Sequence, residues 1–399
     1  MSKRIVVLGG SFAGMTAAIE LKNKLADEVD VTVVSKAADF LFMPSMIWVP
    51  FGLRTRADIM FPLQPVFEKK GVHFVHDEAV LLDLPEKRVE TKQGQKLEYD
   101  YLVIATGPKL NYAAIPGFTP EEGNVQSIFS IDAAERAKVA FDAFLENPGP
   151  VVIGGAQGTG CFGAAYEFLF NFAHQLKKHG ITDKAPLTFV TAEPFLAHFG
   201  IGGFGPGTKM TEWFFKNLHI TGITNVGVKE FRRGEVELSD GQVLKHSFAM
   251  FAPSFLGVDA VRACADVTTA AGFVKVKETY QTEKYPEVYA AGVAVQVDPP
   301  GPTEVPCGVP KTGYLSEEMA KVVVHNIVAD IEGHPKVSLS PGAIDAKCVL
   351  DAGNTGIIAT SDHLLEPRGH AWLIPGPEAH WAKLAFEKYF LATHKRGMV

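Results

Sequence analysis

The chain has 399 residues, of which 47% are hydrophobic, and this is enough for two nucleotide-binding-sized domains with a substantial core. Its formal net charge of −7 argues against a nucleic-acid partner, because neutralising phosphates requires clustered Lys and Arg. The four cysteines form no Cys-x-x-Cys pair and have no metal-ligand spacing, so we expect neither a disulfide scaffold nor a metal site. We also expect no secretory signal, and no uninterrupted apolar run reaches the ~18 residues that would span a bilayer.

The first strand and helix carry a dinucleotide-binding pattern. An apolar run over 5–8 leads into the turn Gly-Gly-Ser-Phe-Ala-Gly at 9–14, and helical spacing follows over 15–25. Small residues in the turn let backbone amides approach a pyrophosphate at the positive end of the helix dipole, with serine in place of the usual second glycine. We therefore predict cofactor contacts from Gly9, Ser11, Phe12, Ala13 and Gly14.

Three further strands support a flavin site. The strand over 31–34 ends at Ser35 and Lys36, where an acidic residue usually binds a ribose hydroxyl, and the Ser35 hydroxyl is the substitute. An apolar strand over 101–104 closes on Ala-Thr-Gly, and residues 288–292 repeat that pattern late in the chain. Their order predicts a two-dinucleotide-domain flavoprotein that binds FAD; the alternative is three unrelated buried strands.

A second glycine-rich turn occupies 154–161 and ends at Cys161. Its position is that of an NADH-binding loop, but its glycine spacing is wrong for one. Cys161 opens a helix, and the partial positive charge at a helix N-terminus predicts a lowered thiol pKa and a reactive thiolate. The alternative is a small residue that packs against the sheet.

In chain order, these motifs resemble the sulfide:quinone oxidoreductases, FAD-dependent flavoproteins of the disulfide oxidoreductase superfamily, and more distantly the flavin subunit of flavocytochrome c sulfide dehydrogenase. The matching segments are 44–45, 48–49, 105–110, 161–163, 193–194 with His198, 310–314 and 385–390. The resemblance implies an α/β fold with two Rossmann-like dinucleotide-binding domains of the three-layer ββα type and a C-terminal flavin-covering region. We place the FAD domain at 1–113 and 271–335, the second domain at 114–270 and the C-terminal region at 336–399.

The same resemblance implies the chemistry. Cys161 and Cys348 would be the redox pair, bridged directly or through extra sulfur, that oxidises sulfide to zero-valent sulfur or polysulfide and passes electrons through FAD to a quinone. Lys311 would stabilise the reduced flavin, Glu167 would manage protons and His198 would approach the sulfide channel. For Glu167 the alternative is a structural acid, and for His198 a satisfied core histidine. Further flavin contacts are expected from Ser35, Lys36, Pro44, Ala79, Thr106, Gly107, Gly292, Val293, Lys311, Thr312 and Gly313.

Two departures from the family pattern concern cysteine. Many members have a third cysteine where this chain has Phe129, so we do not expect a three-cysteine relay. Cys307, close in sequence to Lys311, is a candidate replacement, and the alternative is that it fills a Thr-sized niche. Cys264 is interpreted as a packing residue.

The late helix over 381–396 is the predicted quinone-pocket element, through Phe386, Tyr389 and Phe390, with Lys383 and Lys388 on a basic surface edge. The alternative is a core helix with solvated lysines. Family members usually continue into an amphipathic membrane segment, so we expect weak or partner-aided peripheral membrane contact here, with a soluble cytoplasmic protein as the alternative. We also consider a homo-oligomer, which the sequence neither indicates nor excludes.

Three rival functions remain. A soluble sulfide or persulfide dehydrogenase would pass electrons to a cytochrome acceptor, consistent with the missing third cysteine. A type II NADH:quinone dehydrogenase is disfavoured by the glycine spacing at 154–160. A flavin-stabilised sulfur-binding protein without turnover is the non-enzymatic alternative.

Overall fold

The structure is a computed structural model that describes residues 2–399. The strands are β1 (Lys3–Leu8), β2 (Val29–Ser35), β3 (Asp39–Leu41), β4 (Met60–Pro62), β5 (His73–His76), β6 (Ala79–Asp83), β7 (Arg88–Thr91), β8 (Lys96–Glu98), β9 (Tyr101–Ile104), β10 (Pro108–Leu110), β11 (Val151–Gly155), β12 (Leu187–Thr191), β13 (Thr221–Ile223), β14 (Val228–Arg232), β15 (Glu235–Leu238), β16 (Val243–Lys245), β17 (Phe248–Ala252), β18 (Phe255–Gly257), β19 (Val288–Ala290), β20 (Ala346–Asp351), β21 (Gly356–Ser361) and β22 (Ala371–Gly376). The helices are α1 (Phe12–Leu25), α2 (Arg56–Ile59), α3 (Gln64–Lys69), α4 (Ile131–Glu146), α5 (Phe162–Lys178), α6 (Gly207–Asn217), α7 (Asp259–Arg262), α8 (Gly313–Glu332) and α9 (Pro377–His394).

The first large sheet has five parallel strands in the order β19-β9-β1-β2-β5. It joins the three segments that the sequence pattern assigned to one flavin site. Leu8 at the end of β1 pairs with Val34 on one side and Ile104 on the other, so the carboxyl ends of these strands are level. In open α/β sheets the ligand binds outside that edge, and the turn that begins at Gly9 lies there.

The second large sheet has four parallel strands in the order β13-β12-β11-β17. β11 extends through Gly154 and Gly155, which the sequence pattern had assigned to the turn. A Cβ on Gly154 would lie 2.1 Å from the Val190 carbonyl oxygen, and one on Gly155 would lie 2.8 Å from the Phe162 ring. These two glycines therefore allow strand and helix to pack closely, and only 156–161 form the connection into α5.

A third sheet, in the order β20-β21-β22, is antiparallel and carries Cys348. Cys348 pairs with Ala359, and Ala359 with Leu373, so these side chains share one face. Asp351, three residues after Cys348, lies on the opposite face. α9 covers that opposite face. The two elements approach closely at Gly356, the partner of Asp351, where an added Cβ would lie 3.0 Å from the Ala379 Cβ.

α9 buries a stripe that includes two charged residues. Lys383, Glu387 and Phe390 are 3%, 5% and 2% exposed, and their spacing places them on one helix face. Glu387 accepts hydrogen bonds from Arg54 Nε, at 2.9 Å, and from the Ser45 hydroxyl, which ties α9 to the turn Met43–Phe51. The interpretation of Lys383 as a surface lysine is wrong, because its helix face packs against the rest of the protein.

The large sheets divide the chain as the sequence interpretation expected in outline. The five-stranded sheet draws strands from 3–104 and 288–290, and the four-stranded sheet from 151–252. The domain boundaries at 113, 270 and 335 stay predictions.

Candidate active site

Cys161 is the N-cap residue of α5. Its backbone N–H donates to Thr159 Oγ1 at 3.3 Å, which holds the turn in place. Burial raises the pKa of the Cys161 thiol to about 11; the Ala164 N–H in the first helical turn opposes that rise, and the charge of Glu167 adds to it. The first turn of the helix thus lowers the thiol pKa, but burial raises it by more. The expectation of a lowered Cys161 pKa is therefore wrong, because the free-energy cost of removing a thiolate from water exceeds its stabilisation by the helix start.

Cys348 lies on β20, on the sheet face that meets the start of α5. A Cβ on Gly163 would lie 3.7 Å from Leu350 Cδ2, and Leu350 shares the face of Cys348. Burial raises the pKa of the Cys348 thiol to about 12, Glu167 and Cys161 raise it further, and Lys383 opposes the rise. Both cysteines are free thiols in this structure. The charge of Glu167 acts on both of them.

Glu167 and Lys383 form a buried ion pair beside the two thiols. Glu167 is 6% exposed, and its Oε1 accepts from Lys383 Nζ and, at 2.7 Å, from the backbone N–H of Asp351. Burial raises the pKa of Glu167, while Lys383 and the Asp351 N–H oppose that rise. Sequence reasoning missed Lys383 because 216 residues separate it from Glu167.

Asp351 is a second buried acid that sequence reasoning missed. Its carboxylate accepts from Trp48 Nε1 at 2.9 Å, from Gly353 N at 3.1 Å and from His380 Nδ1 at 2.6 Å. Two cations lie near the Trp48 ring, with Arg54 Cζ at 4.8 Å and Lys383 Nζ at 5.3 Å from its centroid. No local pattern marks Asp351, which is the last residue of β20 and begins a tight turn.

The turn that begins at Gly9 fits a dinucleotide. Gly9 has a φ of +105°, and a Cβ there would lie 2.2 Å from the Ala105 carbonyl oxygen; one on Gly14 would lie 1.9 Å from the Gly9 carbonyl oxygen. Ser11 is the N-cap of α1 and makes no side-chain cap, and the first turn holds no acidic residue, so the amides there face no competing anion. These features suit a pyrophosphate.

Two other predicted flavin contacts approach the start of α1. A Cβ on Gly292 would lie 3.2 Å from the Ala13 Cβ, and one on Gly313 would lie 2.7 Å from the Phe12 ring. The structure therefore brings Gly292, Gly313, Ala13 and Phe12 together from three distant parts of the chain. Around the predicted ribose, the Ser35 hydroxyl donates to the Ala37 carbonyl at 2.9 Å, so it is engaged locally.

The remaining predicted contacts border the same edge. Lys36 pairs with Glu78 at 3.0 Å, and Ala79 follows at the start of β6. The Thr106 hydroxyl donates to the Gly107 carbonyl at 3.4 Å, and the space beside Gly107 is open. Pro44 lies in the first turn of the segment Met43–Phe51, which leads from β3 toward α2.

Lys311 precedes α8, whose N-cap Thr312 accepts from the Leu315 N–H at 3.3 Å. Its ammonium donates to the carbonyls of Val295 at 2.6 Å and Val293 at 3.3 Å, and lies 3.8 Å from the Phe273 ring centroid. Burial lowers the pKa of Lys311 to about 7, and Asp298 opposes that change. The predicted contacts Lys311, Thr312 and Val293 are therefore adjacent in space.

Comparison with known proteins identifies the family. Residues 3–309 match the family described as pyridine nucleotide-disulphide oxidoreductase. A sulfide-quinone reductase of Aquifex aeolicus (strain VF5) is 38% identical over 405 residues, which cover 100% of this chain and 93% of the relative. The chain belongs to the sulfide:quinone oxidoreductase family. This branch of the pyridine nucleotide-disulphide oxidoreductases consists of flavoproteins, so the cofactor of this chain is a flavin.

Two further relatives support membership of the sulfide:quinone oxidoreductase family. The X-ray structure of the sulfide:quinone oxidoreductase from the hyperthermophilic bacterium Aquifex aeolicus superposes with a TM-score of 0.94 at 37% identity, covering 99% of this chain and 92% of that one. The mitochondrial sulfide:quinone oxidoreductase of Dictyostelium discoideum is 28% identical over 345 residues, covering 83% of this chain and 72% of that protein. The predicted α/β fold class and the family resemblance are confirmed.

The three residues predicted to line the family's quinone pocket separate in space. Phe390 is buried, with ring centroids 5.3 Å from Phe12 and 4.8 Å from Phe42, and Phe386 lies 5.6 Å from Phe42. Tyr389 is 69% exposed and does not join them. Of the three predicted residues, only Phe390 therefore lies next to Phe12, on the predicted flavin turn, and Phe386 packs against Phe390 and Phe42.

His198 and Glu193 lie on a buried loop beside α5. His198 Nδ1 accepts from the Gly200 N–H at 3.1 Å, and burial lowers its pKa, which favours the core-histidine alternative. Glu193 is fully buried and accepts from the Phe199 N–H at 2.6 Å and the Tyr166 hydroxyl at 2.8 Å. Burial raises the pKa of Glu193 to about 7, although these hydrogen bonds lower it. Neither residue has a contact with the two site cysteines.

Cys307 lies on a loop that packs against the turn of Cys161, where the Gly158 N–H donates to the Pro306 carbonyl at 2.6 Å and the Gly308 N–H donates to the Thr159 carbonyl at 2.8 Å. Burial raises the pKa of Cys307 to about 11; Thr303 opposes this rise and Glu193 adds to it. The thiol donates to the Val305 carbonyl at 3.6 Å. The Cys264 thiol faces the carbonyls of Leu82 at 3.7 Å and Ala260 at 3.6 Å. Phe129 is buried in the same apolar cluster as Cys307.

Proposed function

We propose that this chain oxidises sulfide to zero-valent sulfur or polysulfide through Cys161 and Cys348 and reduces a quinone, with FAD as its flavin. The observation that carries the proposal is the group of two half-buried thiols and one buried carboxylate, Cys161, Cys348 and Glu167, assembled from α5 and β20. Membership of the sulfide:quinone oxidoreductase family supports it, and the family does not favour the cytochrome-linked or NADH-linked alternatives.

The sulfur steps balance without a metal. With the two cysteines bridged, HS⁻ attacks one sulfur, the S–S bond breaks, and one cysteine carries a persulfide while the other leaves as thiolate. A second HS⁻ attacks the outer persulfide sulfur and releases H₂S₂ and the second thiolate. Loss of two electrons from the thiolates re-forms the bridge, so two HS⁻ yield H₂S₂ and two electrons. Bound FAD supplies the two-electron chemistry that links this step to quinone reduction.

Glu167 acts as the base in this sequence. The raised pKa values of Cys161 and Cys348, about 11 and 12, mean that the reduced pair holds its protons at neutral pH. Bridge formation therefore requires a group that removes them, and we assign this role to Glu167, whose carboxylate acts electrostatically on both thiols. Lys383 donates to that carboxylate and favours its charged form against the effect of burial.

The quinone would enter on the side of α9. Phe386 is exposed and packs against Phe390, which in turn packs against Phe12, the aromatic residue of the predicted flavin turn. Lys311, with its pKa near 7, can hold a proton when negative charge develops at the flavin edge beside the start of α8.

An anaerobic redox experiment tests this function. Purified holoprotein is mixed with sulfide or with NADH while the flavin absorbance is followed, and a short-chain quinone or cytochrome c is then added. We expect bleaching by sulfide and not by NADH, and recovery with the quinone. Bleaching by NADH alone would identify a type II NADH dehydrogenase, and recovery with cytochrome alone would identify a soluble sulfide dehydrogenase.

We further propose peripheral membrane contact through β22 and α9. Among residues 2–399, no helix combines the length and apolarity needed to cross a bilayer. Large side chains nevertheless face outward on these two elements: Trp372, Ile374, Trp381, Phe386 and Tyr389 are 61%, 54%, 67%, 45% and 69% exposed. Tryptophan and tyrosine favour the membrane interface, and this surface adjoins the proposed quinone entrance.

Vesicle sedimentation tests the membrane proposal. Trp372→Ser combined with Trp381→Ser should lower binding to phosphatidylglycerol-containing vesicles by about tenfold, because two interfacial anchors are removed. Val139→Ser on α4, which removes an apolar side chain that is 69% exposed, is the matched control and should leave binding unchanged. Equal binding of the double variant and the wild type would contradict this contact surface.

A further inference from the structure

The pair Asp351 and His380 has no part in the mechanism above. Asp351 is 1% exposed, whereas the His380 side chain is 21% exposed and so reaches water. Their carboxylate and imidazole are joined at 2.6 Å on the face of β20 opposite Cys348. We propose that His380, acting through Asp351, sets the protonation state of Glu167. This inference rests on the proposed function, and it makes His380 a positioning residue for the sulfur chemistry.

Asp351 is joined to Glu167 by its own backbone. The Asp351 N–H donates to Glu167 Oε1 at 2.7 Å. Asn171 Nδ2 donates to the Asp351 carbonyl at 2.9 Å and to the Glu167 carbonyl at 3.0 Å, so one amide holds both residues. The two carboxylates therefore keep a fixed separation in a buried region, where charges interact more strongly than in water.

The charged and titratable groups that face Glu167 and Asp351 come from α5, α9 and β20. Glu167 faces Lys383 on α9, Asp351 on β20, and the thiols of Cys161 and Cys348. Asp351 faces His380 on α9 and His174 on α5, and a Cβ on Gly353 would lie 2.3 Å from His174 Cγ. Lys177 and Lys178 act on His174 from the end of α5.

Lys383 compensates Glu167, and His380 compensates Asp351. Burial raises the pKa of Glu167 most, Lys383 opposes that rise and the Asp351 charge adds to it. A protonated His380 neutralises Asp351 and so makes Glu167 easier to ionise. A neutral His380 leaves the Asp351 charge uncompensated, and Glu167 then holds its proton to higher pH. The charge balance between His380 and Asp351 thus acts on the buried base.

Two isosteric variants should shift the pH profile in opposite directions. His380→Gln leaves the Asp351 charge without a cation, so the pH midpoint for sulfide-driven flavin bleaching should rise by on the order of one pH unit. Asp351→Asn removes the charge, so the midpoint should fall by a similar amount. In the double variant His380 has no charge to compensate, so its profile should match that of Asp351→Asn.

The measurement is the anaerobic bleaching rate of the holoprotein between pH 5 and 9, taken as a ratio to the wild type at each pH so that sulfide ionisation cancels. His325→Gln, an exposed histidine on α8, is the matched control and should give a constant ratio. Slower bleaching at an unchanged midpoint in both variants, with additive losses in the double variant, would show a merely structural pair and overturn the inference.

The two levels of the proposal fail differently. A wild type that sulfide does not bleach at any pH overturns the proposed function, and the inference with it. A wild type that bleaches, with variants that do not shift, overturns the inference alone. Where Asp351→Asn does not fold, judged by its thermal transition, the comparison of His380→Gln with His325→Gln decides the question.

Discussion

Cys161→Ser and Cys348→Ser each stop sulfide from bleaching the flavin, with a fall in rate on the order of 10³-fold or more, because neither cysteine can form the bridge alone. The two losses are not additive, so the double variant is no slower than either single variant. Anaerobic stopped-flow absorbance with sulfide as the reductant measures these rates.

The control for the cysteine variants is Cys264→Ser. Cys264 faces the Leu82 and Ala260 carbonyls, away from the thiol pair, so this variant should bleach at the wild-type rate. Dithionite should bleach all four variants, which shows that flavin remains bound. Sulfide-driven bleaching that persists in the double variant at the wild-type rate would contradict the mechanism through the Cys161–Cys348 bridge.

Lys383→Met lowers the free energy of unfolding by about 3 to 5 kcal/mol at pH 8, because it leaves the buried Glu167 carboxylate without its cation. The variant Glu167→Gln combined with Lys383→Met removes both charges and should recover most of this loss. Lys388→Met, at an exposed position of the same helix, should change the free energy of unfolding by less than about 0.5 kcal/mol. Urea unfolding followed by circular dichroism measures all three.

The pH dependence of this destabilisation has a definite sign. Loss of Lys383 raises the pKa of Glu167 further, since Lys383 lowers that pKa in the wild type. A carboxyl with a raised pKa in the folded state stabilises the protein most at low pH, and that contribution is lost as pH rises through the folded-state pKa. The penalty of Lys383→Met should therefore be small at pH 5 and large at pH 8. A penalty that is constant over this range would contradict a charge-based cause.

Local patterns predicted the strand, turn and helix at the start of the chain, where the flavin contacts stay predictions. The apolar run of β1, the small residues of the turn and the start of α1 lie within one short stretch, where strand, turn and helix preferences act on neighbours. The strands ending near Thr106 and at Ala290 were recognisable for the same reason. Even there the pattern was imperfect, because α1 begins at Phe12 and β11 runs through Gly155.

The polar groups behind the thiols could not be predicted in this way. Lys383 looks like any lysine of an amphipathic helix, and Asp351 like any acid before a turn. Each is buried because it contacts residues that are distant in sequence. Lys383 contacts Glu167, and Asp351 contacts Trp48 and His380. Pairings of this kind depend on how the elements pack, and a single sequence does not record them.

The sequence by itself determined the α/β fold with two parallel sheets, the glycine-rich turn between β1 and α1 and the placing of Cys161 at a helix start, because each depends on residues close together in the chain. Only the tertiary structure decided that Cys348 and Glu167 share its surroundings and that burial raises the pKa of Cys161 to about 11. The helix dipole is a local property, whereas the loss of water around a thiol requires the whole chain to fold over it. In this site the second effect is the larger one.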